Sequence, residues 1–193
     1  MTTPMQCLQF KAELRDPEIA RAVCRTIGAR LQATIDQVDT YYRIPQGRYK
    51  RRESLIEGRA QPIEYFLFDQ TDRSLPRLSH YTAYTQRQAA ERFGATPPPV
   101  AVIVSKRREV YRLESVAIHL DEVEGLGRFI EFESVETPEH SLADGRRIIA
   151  ELRKAFDSSM GEPLLASYLD LALAGVEPHG EEPPPPPHAP QCE

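Results

Sequence analysis

The chain contains no tryptophan, only three cysteines, and fewer basic than acidic side chains. Each shortage excludes something. Cys7, Cys24 and Cys192 are odd in number and widely scattered, which fits neither a disulfide framework nor a thiolate metal site and points to a reducing, cytoplasmic compartment. With 24 lysines and arginines against 29 aspartates and glutamates, the net charge of -5 argues against a nucleic-acid partner, whose binders carry a basic surplus. No apolar run is long enough to cross a bilayer, and the opening Met1-Thr-Thr-Pro-Met-Gln6 lacks a secretion-signal pattern, so no membrane association is expected. The 193 residues, 40% of them hydrophobic, suffice for one real core, and one folded domain is the simplest organisation.

What is present is a series of short strands that carry charge at a spacing of two. The organising stretch is Ile118-His-Leu-Asp-Glu-Val-Glu-Gly-Leu-Gly-Arg-Phe-Ile-Glu-Phe-Glu133. It reads as strand, glycine turn, strand, with Gly125 and Gly127 supplying the turn. Glu131 and Glu133 leave the same face of the second strand, and His119 and Asp121 share a face of the first. Asp121, Glu131 and Glu133 together are costly unless cations or a metal compensate them.

The matching cations are spread along the chain. Gln6 to Leu14 alternates, with Cys7, Gln9, Lys11 and Glu13 on one face and Leu8, Phe10, Ala12 and Leu14 on the other. Asp16-Pro17-Glu18 then opens a helix. Thr34 to Ile44 returns as a strand with Gln37, Asp39 and Tyr41 in step, and Lys50 with Arg52 follows after a turn at Pro45-Gln-Gly47. Ile63 to Asp69 and Arg77 to Tyr84 are further strands, the second with Arg77, Ser79 and Tyr81 on one face. Gln86 to Phe93 is a short helix. Val100 to Val104 runs into Lys106 and Arg108, and Glu114-Ser115 turns the chain back. Helices are expected over Pro138 to Phe156 and Leu164 to Leu173. The folded domain is set at residues 1–174; residues 175–193, rich in proline and glutamate, read as a disordered tail.

In these strands the polar line faces one way and the apolar line packs outward under helices. The solution is an α+β, mainly β fold: a closed barrel with a charged lumen and flanking helices. Such a lumen suits a polyanion held by lysine and arginine, with carboxylates binding a divalent cation.

The same residues resemble a known family. His119 to Glu133 is similar to the signature hairpin of CYTH domains, the group of class IV adenylyl cyclases and thiamine triphosphatases. The similarity continues in Asp39-Thr-Tyr-Tyr42, Gly47-Arg-Tyr-Lys-Arg-Arg-Glu53, Lys106-Arg-Arg-Glu109 and Ser167-Tyr-Leu-Asp-Leu171. The resemblance implies that the barrel is a closed eight-stranded antiparallel tunnel for a triphosphate-containing small molecule or inorganic polyphosphate, with Mg²⁺ or Mn²⁺ as cofactor, and is compatible with a homodimer. It implies a cradle of Lys11, Lys50, Arg52, Arg77, Lys106 and Arg108, of which Lys11, Lys50 and Arg52 would act in catalysis. Asp121, Glu131 and Glu133 would serve the metal. The chemistry would be triphosphate hydrolysis or cyclisation of a nucleotide.

The departures lie in the first strand. The family's Glu-x-Glu-x-Lys is here Cys7-Leu-Gln9-Phe-Lys11, so both carboxylates are gone. Glu13 stands where many relatives carry arginine, and Gln70 replaces another. A neutral amide binds a hard cation less well than a carboxylate, so weakened metal affinity is expected. Two readings therefore follow: a divalent-metal-dependent enzyme of the adenylyl cyclase or triphosphatase kind, or a degenerate tunnel that binds a nucleotide or polyphosphate without turning it over. No motif that reads a particular base is visible. His80, His119, Cys7 and Tyr168 read as packing or hydrogen-bonding groups, and Arg51 and Arg107 as solvent-facing.

Overall fold

A computed structural model describes residues 4–69 and 75–175. Gln70, and the tail apart from Gly175, lie outside the described residues. The strands are β1 (Met5–Leu14), β2 (Arg30–Tyr42), β3 (Arg48–Ile56), β4 (Arg59–Ala60), β5 (Glu64–Asp69), β6 (Arg77–Tyr84), β7 (Val100–Leu113), β8 (Val116–Val123), β9 (Gly127–Val135) and β10 (Met160–Pro163). The helices are α1 (Pro17–Thr26), α2 (Gln86–Phe93), α3 (Leu142–Ala155) and α4 (Tyr168–Gly175).

Eight strands close into an antiparallel barrel in the order β1-β6-β5-β3-β2-β7-β8-β9, and β9 pairs back onto β1 from Cys7 opposite Val135 to Glu13 opposite Phe129. Closure removes the sheet edges, which an open sheet would expose for aberrant pairing. The short β4 only extends β3, and β10 pairs with the end of β1.

Alternation sends one side of each strand outward. Leu8, Phe10, Ala12 and Leu14 of β1 and Ile118, Leu120, Ile130 and Phe132 of the β8–β9 hairpin pack under α1 and α3, against Ala20, Cys24, Ile148, Ile149 and Leu152. Gly145 lets α3 come this close, because a Cβ there would lie 2.5 Å from the Ser134 hydroxyl. On the far side, Tyr42, Tyr49, Leu67 and Tyr84 pack under α2. α1 starts where expected: the Asp16 carboxylate accepts from the backbone N–H groups of Glu18 and Ile19 at 2.9 and 3.0 Å.

Two helices are shorter than the sequence suggests. α3 begins at Leu142 and not near Pro138, because Ser141 and Asp144 form a reciprocal capping box that fixes the first turn there. α4 begins at Tyr168 and not at Leu164, with the Ser167 hydroxyl accepting from Asp170 N–H.

The lumen is also not charged along its whole length. Tyr41, Val104, Val123 and Phe129, in step with the inward charges on their strands, form an apolar floor with Tyr168, and Leu164, Leu169, Leu171 and Ala172 pack against it. α4 thereby closes one end of the barrel, and the charged groups sit above that floor.

Candidate functional site

Above the floor lies a cavity of about 300 Å³. All six expected cradle residues line it: Lys11 from β1, Lys50 and Arg52 from β3, Arg77 from β6, Lys106 and Arg108 from β7. Glu131 and Glu133 of β9 line it too. Alternation on five different strands brings these groups together, which only a closed barrel permits.

The groups divide into two clusters. In the first, Asp39 is the hub. Its carboxylate accepts from Lys50 Nζ at 3.0 Å, Lys106 Nζ at 2.7 Å, and Arg52 through Nε and Nη2 at 2.7 and 2.9 Å. Burial would raise the Asp39 pKa, but Lys50, Arg52 and Lys106 outweigh it and hold the carboxyl well below its usual range. The lysines bear the opposite strain. Burial and the nearby Arg52 push Lys50 down to about 7, with Asp39 opposing, and burial takes Lys106 down to about 8.

In the second cluster Arg108 is the hub. It donates to Asp121 through Nε and Nη2 at 2.7 and 2.6 Å, and Nη2 also reaches Glu131 at 3.0 Å. The Tyr168 hydroxyl donates to the same Asp121 at 2.6 Å. Lys11 Nζ stands 3.8 Å from the centre of the Tyr168 ring. Burial opposes ionisation of Glu131, yet Lys11 and Arg108 bring its pKa down to about 2. Neighbouring His119 is buried, and burial with the Arg108 charge lowers it to about 3, so the imidazole is neutral.

Asp121 was expected to serve the metal together with Glu131 and Glu133. It lies behind Arg108, 1% exposed, outside the cavity lining, with both oxygens committed to Arg108 and Tyr168. Glu133 is freer: among the described residues its side-chain hydrogen bond is to the Gln9 amide, which donates to it at 3.2 Å. Gln9 in turn accepts from the Ser79 hydroxyl at 3.4 Å. Cys7 is fully buried beside this group, and burial followed by the Glu133 and Glu131 charges drives its thiol pKa far up, so it is no nucleophile. Glu13 is exposed and does not line the cavity, so it does not stand in for the missing acids.

Several lining residues escaped the sequence reading. Arg48 is one, although its step with Lys50 and Arg52 was available as a signal. Phe66, Phe68 and Glu64 are the others, while Tyr81, Ser167 and Tyr168, which the sequence had already singled out, line the cavity beside them. Arg77 and Arg48 also hold the segment before and within α4: Arg77 Nη1 donates to the Leu165 carbonyl at 2.7 Å, and Arg48 lies 3.9 Å from the Asp170 carboxylate.

Residues 8–168 match the sequence model of the CYTH domain. The chain belongs to the CYTH domain family. A search of curated proteins returns no significant match. Among solved structures, a protein of Pyrococcus horikoshii OT3 is 24% identical, the alignment covering 88% of this chain and 99% of that one, with a TM-score of 0.67. A candidate adenylate cyclase of Vibrio parahaemolyticus is 18% identical over 86% of this chain and 97% of its own, TM-score 0.61. A Hippeastrum protein, a candidate adenylyl cyclase described as having a dominant triphosphatase activity, is 14% identical over 89% and 96%, TM-score 0.59. At these identities the likeness is one of fold, and it spans nearly the whole of each relative. Among the described residues of this CYTH chain no helix is long and apolar enough to cross a membrane.

Proposed function

We propose that the CYTH barrel binds a triphosphate-containing molecule in its cavity and hydrolyses it with the help of a divalent cation. The observation that carries this is the convergence of Lys11, Arg48, Lys50, Arg52, Arg77, Lys106 and Arg108 on one cavity whose lining holds four carboxylates, Asp39, Glu64, Glu131 and Glu133. The surplus of cations suits a polyanion, and guanidinium groups match phosphate oxygens in paired geometry.

The residues present fit a divalent cation of the hard, oxygen-seeking kind. Among the described residues no three carboxylate, imidazole or thiol groups converge as an all-protein metal cage. Mg²⁺ needs no such cage, since it is commonly held by one or two carboxylates together with substrate phosphates. Glu131 and Glu133, two residues apart on one face of β9, offer that pair, and Asp121 is left to hold Arg108. A bound Mg²⁺ or Mn²⁺ would neutralise charge developing on the phosphate oxygens.

The chain's own groups do the rest. Lys50, Lys106 and Arg52 present donors from one side of the cavity and Arg108 and Lys11 from the other, so a phosphate chain lying between them is fixed before reaction. Lys50, with its pKa near 7, gains a proton and full charge as the polyanion arrives. The apolar floor of Tyr41, Val104, Val123, Phe129 and Tyr168 bars water from the closed end.

A second reading, a tunnel that binds without turnover, is favoured by one observation. Gln9 replaces a carboxylate and its amide occupies an oxygen of Glu133, a proposed metal ligand. The experiment is a panel of triphosphates with Mg²⁺ and with Mn²⁺, measuring phosphate and pyrophosphate release beside binding by calorimetry. Release that needs the metal supports hydrolysis. Binding without release supports the second reading, and absence of both rejects the triphosphate site.

A further inference from the structure

We propose that Tyr168, the first residue of α4, is a positioning residue that holds the Lys11 ammonium in the cavity with its donors free for an incoming phosphate. The inference rests on the triphosphate reading of the same cavity and adds the residue that readies one of its cations.

The cavity's other cations are already engaged by oxygen. Lys50, Arg52 and Lys106 donate to Asp39, and Arg108 donates to Asp121 and Glu131. Arg77 donates to the Leu165 carbonyl, and Arg48 lies 3.9 Å from Asp170. Lys11 differs. It is 8% exposed, yet among the described residues its side chain makes no hydrogen bond and no ion pair. Its Nζ stands instead 3.8 Å from the centre of the Tyr168 ring. A buried ammonium needs a compensating partner, and here the partner is a ring face. A carboxylate in that place would cancel the charge and occupy the N–H groups. The ring quadrupole attracts the cation without neutralising it, and the N–H groups turned away from the ring stay available.

The ring is itself fixed. The Tyr168 hydroxyl donates at 2.6 Å to the same Asp121 oxygen that accepts from Arg108 Nη2. Phe129 packs against the ring with centres 5.2 Å apart. Burial, followed by the Asp121 and Glu131 charges, holds the phenol well above its usual pKa, so the ring is neutral and its hydroxyl remains a donor. The chain entering α4 is pinned to the same lysine, because Leu164 N–H donates to the Lys11 carbonyl at 2.8 Å. Ser167 then fixes the first turn of α4: its hydroxyl donates to the Asp170 carboxylate at 2.7 Å and accepts from Asp170 N–H at 3.2 Å. Both the backbone and the ammonium of Lys11 therefore meet the segment that closes the barrel. Without the ring, the ammonium would swing toward Glu131, directly opposite Lys11 on β9, and its donors would be lost to the ligand.

The plain alternative is that Tyr168 only plugs the end of the barrel as part of the apolar floor. Calorimetric titration of tripolyphosphate without metal separates the two. The proteins are wild type, Tyr168→Phe, Tyr168→Leu, Lys11→Met and the Lys11→Met/Tyr168→Leu double variant. Phenylalanine keeps the ring face and loses the hydroxyl, whereas leucine keeps apolar bulk and loses both. A thermal melt checks that the fold persists, and Tyr168→Met supplies the same comparison should the leucine variant not fold. We expect Tyr168→Leu to weaken tripolyphosphate roughly 3- to 30-fold, and Tyr168→Phe to recover most of that loss. In the Lys11→Met background the leucine substitution should have little further effect, because both residues act through one contact. No loss in Tyr168→Leu, an equal loss in Tyr168→Phe, or the same loss with and without Lys11 overturns the proposal and leaves the triphosphate reading intact. Failure of wild type to bind tripolyphosphate overturns that reading as well.

Discussion

The two ion clusters of the cavity are built from the same residue types in inverted proportion. Around Asp39 one carboxylate is shared by Lys50, Arg52 and Lys106. Around Arg108 one guanidinium is shared by Asp121 and Glu131, with Tyr168 donating from the side. The first cluster has positive charge to spare and the second has acceptors to spare. Both hubs are buried, Asp39 at 0% and Arg108 at 7% exposure, so solvent screens neither cluster strongly. The difference teaches that the wall is polarised, with cations in excess around Asp39 and carboxylates in excess around Arg108.

The largest effects should come from removing a hub. Asp39→Ala and Arg108→Ala each leave buried charges without their partner, which typically costs about 3–5 kcal/mol and is measurable by urea unfolding. The comparison is in the rescue. Asp39→Ala should be restored by tripolyphosphate and not by acid; Arg108→Ala should be restored by mild acidification, which protonates Glu131, and not by tripolyphosphate. The same rescue pattern in both would show that the wall is not polarised.

Ligand stabilisation comes next. Tripolyphosphate at a hundred times its Kd should stabilise the wild type by about 2.7 kcal/mol, read as a rise in Tm at low salt. Arg52→Ala should remove most of that rise. Glu133→Gln should preserve it without metal and lose only the increment that Mn²⁺ adds.

The pH dependence of the empty protein is a smaller effect with a definite sign. Lys50 and Lys106 are held near 7 and 8 in the folded state, against an ordinary lysine value of about 10.4 in the unfolded chain. Between those values the unfolded chain binds more protons, so stability should rise with pH across that window. Below about 7 both lysines are protonated in both states and their penalty is at its full size. Each contributes at most about 1.4 kcal/mol per pH unit. Lys50→Met should flatten the lower part of the slope in pH-dependent melts, and an unchanged slope would show that Lys50 does not titrate there.

The smallest effect sharpens the acidic side. Gln9→Glu converts the amide that bonds Glu133 into a carboxylate, and Mn²⁺ affinity should tighten several-fold by calorimetry. Adding Cys7→Glu is a worse test, because Cys7 is fully buried and a second acid there would stand close to Glu133. Weaker binding in Gln9→Glu would mean that like-charge repulsion outweighs the added ligand.

Much of this was legible in the sequence. The alternation of Leu8, Phe10 and Ala12 against Gln9 and Lys11 states which face of β1 is apolar, and the same rule selects Lys50 with Arg52 and Lys106 with Arg108. Asp16-Pro17 marks the start of α1, and Gly125 with Gly127, at φ of +71° and +108°, marks the β8–β9 turn. The capping boxes at Ser141 and Ser167 were also visible in principle. They lost to the apolar periodicity, which runs past the true helix starts.

What the sequence could not state is which groups meet across the barrel. Strand parity fixes the face a side chain leaves from, because the repeat of two is local. It says nothing of the partner, because Asp39 and Lys106 are 67 residues apart and meet only when β2 and β7 pair. The same reason explains why Asp121 reads as a metal ligand in the sequence and faces Arg108 in the fold, and why Tyr41, Val104, Val123 and Phe129 turn out to be a floor. The sequence by itself determined the strands, their two faces and the charged inner line, all of which follow from local chemistry. Tertiary structure alone decided the pairing of charges and the closed end, because each depends on which strands become neighbours when the barrel closes.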